Sequence, residues 1–240
     1  MNKKFTYGYY KKLLKTFLDK KMNFIFFDEL DDFSDEKFIL LRHDIDFDID
    51  KALKMAILEN SMSVKSTYFF LHNSEFYNLY HMDNVNKIKN LMSLGHKISL
   101  HFDPCNYGDS ADKEIKEHCS KEIKYFSNLF DVEINIVSFH RPQKNVLNGQ
   151  IEINNTYMPK YAKSIKYISD SMKKMHEGDF IEMASLGNHK QLQLLIHPIW
   201  WNDTETTPQQ DYDNFLERKY KKITDEISKN SKIFKVDKKQ

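Results

Sequence analysis

The chain has 240 residues, 36 of them basic and 35 acidic, for a net charge of +1 at neutral pH. That length can bury one sizeable core. The charge balance excludes a dedicated nucleic-acid surface, which needs a basic excess, and two cysteines, Cys105 and Cys119, exclude a disulfide framework. Residues Met1 to Tyr7 carry no apolar stretch of the kind that leads secretion, and no run approaches the ~18–20 apolar residues of a membrane span. A cytoplasmic chain is expected, one that would meet any glycan as a precursor inside the cell.

In chain order, Tyr9 to Lys21 reads as an amphipathic helix, with Leu13, Leu14, Phe17 and Leu18 on one side. Asn23 to Phe27 reads as a first strand, and Asp31 to Lys37 as an acidic loop. Phe38 to His43 is a strand, Asp48 to Asn60 a helix, and Lys65 to Leu71 a strand rich in β-formers. Asp83 to Leu94 is a helix stopped by Gly95, and Lys97 to His101 the next strand. A long helix over Asp112 to Phe130 precedes a strand over Ile134 to Phe139. Asn145 to Lys163 has no clear period and is expected to loop over the site. Ile165 to Ser169 and Gln191 to Ile196 are strands, Asp211 to Ser228 a helix, and Ile233 to Val236 a closing strand. Strands alternating with helices predict right-handed βαβ units and a parallel sheet or barrel. No linker marks a second domain, so residues 1 to 240 are expected to form one α/β domain.

Five of these apolar runs end in an acid or a histidine. Phe38–Leu41 leads into Arg42-His43-Asp44-Ile45-Asp46, and Lys97–Leu100 into His101-Phe102-Asp103. Ile134–Phe139 leads into His140-Arg141-Pro142, Tyr167–Ser169 into Asp170, and Leu192–Ile196 into His197-Pro198. In a β/α barrel the C-terminal strand ends gather at one mouth. Packing gives separate buried strands no reason to finish alike, so a shared metal or acid/base site is the economical explanation.

Asp44 and Asp46 share a face while the strand stays extended, and a bound cation would keep both ionised. The competing reading is a cap for the helix starting near Asp48. An EF-hand loop fails, because Ile49 and Met55 stand where glycine and glutamate belong. His101 emerges where an imidazole suits zinc or a similar ion. Asp103 could orient a ligand, bind metal or meet substrate. His140 is a candidate ligand, and Arg141 a cation able to grip a carboxylate. Asp170 could orient a histidine, and His197 is a candidate general acid. Trp200 and Trp201 could wall a sugar or acyl pocket. His96 sits at the opposite strand end and reads as structural.

These stretches resemble the polysaccharide deacetylase superfamily, the NodB-homology enzymes of carbohydrate esterase family 4, and more narrowly the deacetylase-like proteins of bacterial O-antigen and capsule clusters. The matches are Leu41–Asp46, Ser66–Leu71, Gly95–Asp103, Ser138–Pro142, Tyr167–Ser171 and Ile196–Trp201, in the family's order across roughly residues 38 to 201. The resemblance implies a distorted (β/α) barrel of about seven parallel strands and a divalent metal, usually zinc. It implies Asp44 as the base that activates water, Asp46 and His101 as metal ligands, and His197 as the acid that protonates the leaving amine. It departs from the family at Cys105, where a second histidine is usual, and at His140, where an arginine is usual. His140 is therefore expected to supply the missing ligand from the neighbouring strand.

The function expected is N-deacetylation of an amino sugar in a nucleotide- or lipid-linked precursor of a surface polysaccharide. O-deacetylation would use the same residues. A sugar-binding or regulatory protein that lost the chemistry is the alternative from another class. A metal-dependent phosphoesterase ranks below both, because the chain lacks a Gly-rich phosphate loop.

Overall fold

The computed structural model describes residues 3–108, 112–142, 144–147 and 151–235. Seven parallel strands form one sheet: β1 (Asn23–Ile25), β2 (Phe38–Ile45), β3 (Thr67–Leu71), β4 (Lys97–Phe102), β5 (Ser138–Phe139), β6 (Lys166–Ser169) and β7 (Gln191–Ile196). Their order is β5-β4-β3-β2-β7-β6, and β1 pairs with the first half of β2. The sheet curls into a barrel that no ladder closes between β5 and β6 among the described residues. The helices are α1 (Tyr7–Asp19), α2 (Ile49–Asn60), α3 (Met82–Ser93), α4 (Asp112–Phe130), α5 (Lys144–Leu147), α6 (Pro159–Ala162), α7 (Phe180–Leu186) and α8 (Pro208–Asn230). No described helix is long and apolar enough to cross a membrane.

Strands buried on both faces look like continuous apolar runs, but their alternation still sorts the side chains. On β2, Ile39 and Leu41 face an outer core with α1 and α7, while Phe38 and Leu40 face the barrel interior. On β4, Ile98, Leu100 and Phe102 face a second outer core beneath α2, α3 and α4. The interior is stratified. Phe27, Phe38, Leu40, Phe69, Tyr161 and Ile165 fill its base. Arg42, Ser138 and Gln193 form a buried polar layer above them. The acids and histidines stand over that layer at the strand ends.

Several predicted elements differ from those observed. Only Ser138 and Phe139 of the run from Ile134 form a strand. Val137 instead bridges Asn155, donating to Asn154 O at 3.0 Å, and Ser99 Oγ takes up the Ile136 carbonyl. Their hydrogen bonds go to a returning segment, so β4 loses a partner along its first half. That returning segment belongs to the predicted loop of residues 145–163, of which 148–150 lie outside the described residues. It does more than cover the site. Asn155 and Thr156 are buried, Tyr157 reaches the mouth and Tyr161 plugs the base. The α7 helix was not predicted; Asp179 caps it by accepting from Ile181 N and Glu182 N. The predicted closing strand does not form over residues 233–235, and Val236 lies outside the described residues. The α8 helix begins earlier than predicted, through a capping box of Thr207 and Gln210 with Pro208 in its first turn.

Candidate active site

The parallel register brings the strand ends level. His101 pairs with Leu71 on β3 and Ser138 on β5, Ser169 pairs with Leu195, and His43 pairs with Ile196. Asp44, Asp46, His101, His140 and His197 therefore line one cleft of about 560 Å³. Asp48, beyond the end of β2, instead caps α2, accepting from Asp50 N at 3.0 Å and Lys51 N at 3.2 Å.

Three donor atoms form a near-equilateral triangle. His101 Nε2 lies 3.2 Å from Asp46 Oδ1, His140 Nδ1 lies 3.3 Å from the same oxygen, and the two nitrogens are 3.1 Å apart. Asp46 Oδ1 is buried, yet none of these contacts gives it a well-formed hydrogen bond. Two imidazole nitrogens and a carboxylate oxygen that crowd one another, all offering electron pairs, suit a shared cation. A tetrahedral ion with bonds of about 2.0–2.1 Å has ligand atoms about 3.3 Å apart, so the triangle fits one face of a zinc site and leaves a fourth position free. Asp46, His101 and His140 are thus the residues that could hold a metal. Cys105 is exposed and takes no part in that triangle.

Asp44 stands beside the triangle, its Oδ2 3.6 Å from His101 Nε2. Burial alone would raise its pKa; the Arg42 guanidinium outweighs that and holds it below the usual carboxylate range, with His101 adding to the effect. Arg42 Nε and Nη2 grip the two Asp44 oxygens at 2.8 and 2.7 Å, and the pair is buried. Arg42 also reaches Gln193 Oε1 at 3.2 Å and lies over the Tyr157 ring. Sequence reasoning missed Arg42 as a functional residue. The signal was available, because residues 42, 44 and 46 share one face of an extended strand.

His197 is held by Asp170. Its Nδ1 lies 2.6 Å from Asp170 Oδ1, and its backbone N–H donates to both carboxylate oxygens at 2.9 and 3.0 Å. Nε2 is thereby the nitrogen left for the cleft. Burial pulls the His197 pKa down, but the hydrogen bond and charge of Asp170, with Asp46 and Asp44, outweigh it and raise it to about 9.

Two candidates, Trp201 and Asp103, lie off the cleft wall. Trp201 does not wall a pocket. It is fully buried against Phe5, Tyr9 and Tyr10, and its Nε1 donates to Asp170 Oδ2 at 2.8 Å, so it braces the carboxylate that orients His197. Trp200 does line the cleft, edge-on to Tyr212. Asp103 is not part of the cleft wall; it is buried, accepts from Cys105 N and pairs with Arg141. Arg141 lines the cleft, tied to Asp103 and outside the set of three metal-site residues. The remaining walls include the aromatic residues Phe47, Phe139, Tyr157 and Tyr167 beside Met172 and Leu195.

The geometry supplies an ionised carboxylate, a protonated imidazole and a three-donor metal site around one opening. Together these can activate water against a polarised carbonyl and protonate what leaves.

No family model and no curated protein matches the sequence. Solved structures of similar arrangement include a CE4 family pseudoenzyme from Bacillus anthracis (12% identity, TM-score 0.48, 77% of this chain and 62% of that one). Peptidoglycan deacetylase PdaC from Bacillus subtilis is similar too (12%, 0.46, 80% and 98%), as is Streptococcus pyogenes deacetylase PplD in complex with acetate (12%, 0.49, 80% and 81%). The chain spans under two thirds of the Bacillus anthracis protein's length. Likeness at this level carries no argument about chemistry, which stands on the site geometry.

Proposed function

We propose that the chain is a metal-dependent hydrolase that removes an acetyl group from an amino sugar of a surface-polysaccharide precursor. The observation that carries this is the triangle of Asp46, His101 and His140 beside an Arg42-held Asp44, in a cleft that also holds the Asp170-oriented His197. When bound, a divalent ion, zinc by this donor set, supplies Lewis-acid polarisation of the acetyl carbonyl. Asp44, ionised beside Arg42, takes the proton of the attacking water. His197 Nε2 gives a proton to the departing sugar nitrogen, and Asp170 stabilises the imidazolium until it does. The aromatic walls suit the flat faces of a pyranose.

The test is acetate release from N-acetylated saccharides, with metal analysis beside it. One zinc or similar ion per chain and acetate release that a chelator abolishes are the expected results. His140→Ala should weaken metal binding by at least about 100-fold, since even outer partners of metal ligands are worth 10–100-fold. Full metal retention in that variant removes His140 from the site. A wild-type protein that binds no zinc, cobalt or nickel points to the sugar-binding alternative.

The pH profile is a second prediction. Asp170 holds the His197 pKa above the ordinary histidine range, so activity should persist above that range and fall at higher pH as the proton is lost. Its ion pair with Asp170 contributes stability below the ordinary histidine range, and that contribution disappears as pH rises through about 9. Asp170→Asn should move the alkaline limb toward the ordinary histidine range. An unmoved limb in that variant, measured as kcat against pH, would separate it from His197.

A further inference from the structure

We infer that the substrate carries a carboxylate, and that Arg141 is the residue that selects for it. This deepens the hydrolase reading and places the selected group at the rim of the same cleft. Among the described cleft-lining residues, Arg141 is the only lysine or arginine. Its side chain is 58% exposed, while its partner Asp103 is 5% exposed. Asp103 Oδ1 is itself fixed by Cys105 N at 3.0 Å, and Oδ2 takes Arg141 Nη2. The guanidinium is therefore pinned through one nitrogen by a buried anchor. Among the described residues Nε and Nη1 have no partner, which leaves N–H groups for a carboxylate's oxygens.

The backbone agrees. Arg141 has φ +48, a left-handed conformation uncommon for a residue with a side chain. It directly follows His140, so the chain that carries a metal-site residue also carries Arg141 onto the wall of the same cleft. The local charges are paired: Arg42 compensates Asp44, Arg141 compensates Asp103 and a divalent ion would compensate Asp46, so Arg141 offers an acidic ligand directed N–H donors with no unpaired carboxylate among the described residues opposing them there.

The test uses zinc-loaded His197→Gln protein, which stops turnover without removing a cleft carboxylate. Binding of N,N′-diacetylchitobiose is compared by calorimetry with that of N-acetylmuramic acid, whose carboxylate is on the acetylated ring. A glucuronate–N-acetylglucosamine disaccharide, with its carboxylate on the neighbouring ring, completes the set. At least one acidic sugar should bind about tenfold tighter than the neutral one, the worth of a charge-assisted contact. Arg141→Gln should level the affinities, Arg141→Lys should restore part of the difference, and salt should shrink it. Equal affinities, a preference that survives Arg141→Gln, or no binding of either acidic sugar overturns the inference. Acetate release by the unmutated protein is read separately. An acidic preference without acetate release sinks the hydrolase reading alone, and acetate release without an acidic preference sinks this inference alone.

Discussion

Glu59→Ala is expected to cost about 3–5 kcal/mol of stability, because it takes a shared acceptor from several buried donors, each of which costs about 1–3 kcal/mol when left unsatisfied. Glu59 lies on α2, is fully buried, and receives four groups. Tyr10 OH and Ser66 Oγ donate to it at 2.6 Å, Tyr68 OH donates at 2.9 Å, and His43 Nε2 lies 2.7 Å away. His96 joins through Ser66 at 2.8 Å and ties back to the Ala56 carbonyl at 3.0 Å. One carboxylate thus couples α1, α2, β2 and the start of β3, and it meets β2 at His43, one residue before Asp44. Burial would raise the Glu59 pKa, but the charge and hydrogen bond of His43, with His96 and Ser66, outweigh it and lower it from 4.5 to about 2. A depressed carboxyl stabilises the fold above its unfolded value, so this contribution should fade as pH falls from about 4.5 toward 2. Urea melts of wild type and variant check both claims. A variant within about 1 kcal/mol of wild type, or one whose deficit persists unchanged below pH 3, rejects this account of the cluster.

Glu59 also shows what the sequence hid in plain view. It follows Ala52, Met55 and Ala56 at helical spacing, so the period places it on the buried face of α2. A glutamate there reads as a solvated surface residue only if its type is weighed above its position. Arg42 was overlooked for the same reason on a strand. Both are buried charges whose partners, His43 and Asp44, are also in sequence view, and a charge at a buried position demands a partner.

The strand ends were legible because a parallel barrel aligns them, and a local feature of each run is enough to place a residue at the mouth. Asp44, Asp46, His101, His140 and His197 share the cleft for that reason. Trp201 could not be read this way. It lies four residues past His197 and turns back into the core, where α1 supplies Tyr9 and Tyr10 from nearly two hundred residues earlier. The shortened β5 was equally illegible, since the partner that draws Val137 away is Asn155, in a segment with no period. Such long-range pairings are settled by the whole fold, and no window of sequence contains them.

The remaining large effect concerns Arg42 and Asp44, and its sign is unusual enough to be diagnostic. Asp44→Asn removes the proposed base and should lower acetate release by about 10²–10⁴-fold, the range for a general base, with zinc content unchanged because Asp44 lies outside the triangle. It should also destabilise the protein by about 3–5 kcal/mol, because Arg42 is left charged in a site with no solvent access. Arg42→Leu should be destabilising by a similar amount for the mirror reason, and should slow the reaction as Asp44 loses the charge that keeps it ionised. The double variant should be more stable than either single one, since no lone charge remains buried, yet no more active than Asp44→Asn. Exposed salt bridges do not behave this way: their losses are small and close to additive. Stabilities that simply add, or a double variant more active than Asp44→Asn, would mean that Arg42 and Asp44 do not act as a buried pair. Asp44 would then need another source of its low pKa, and the hydrolytic reading would lose its base.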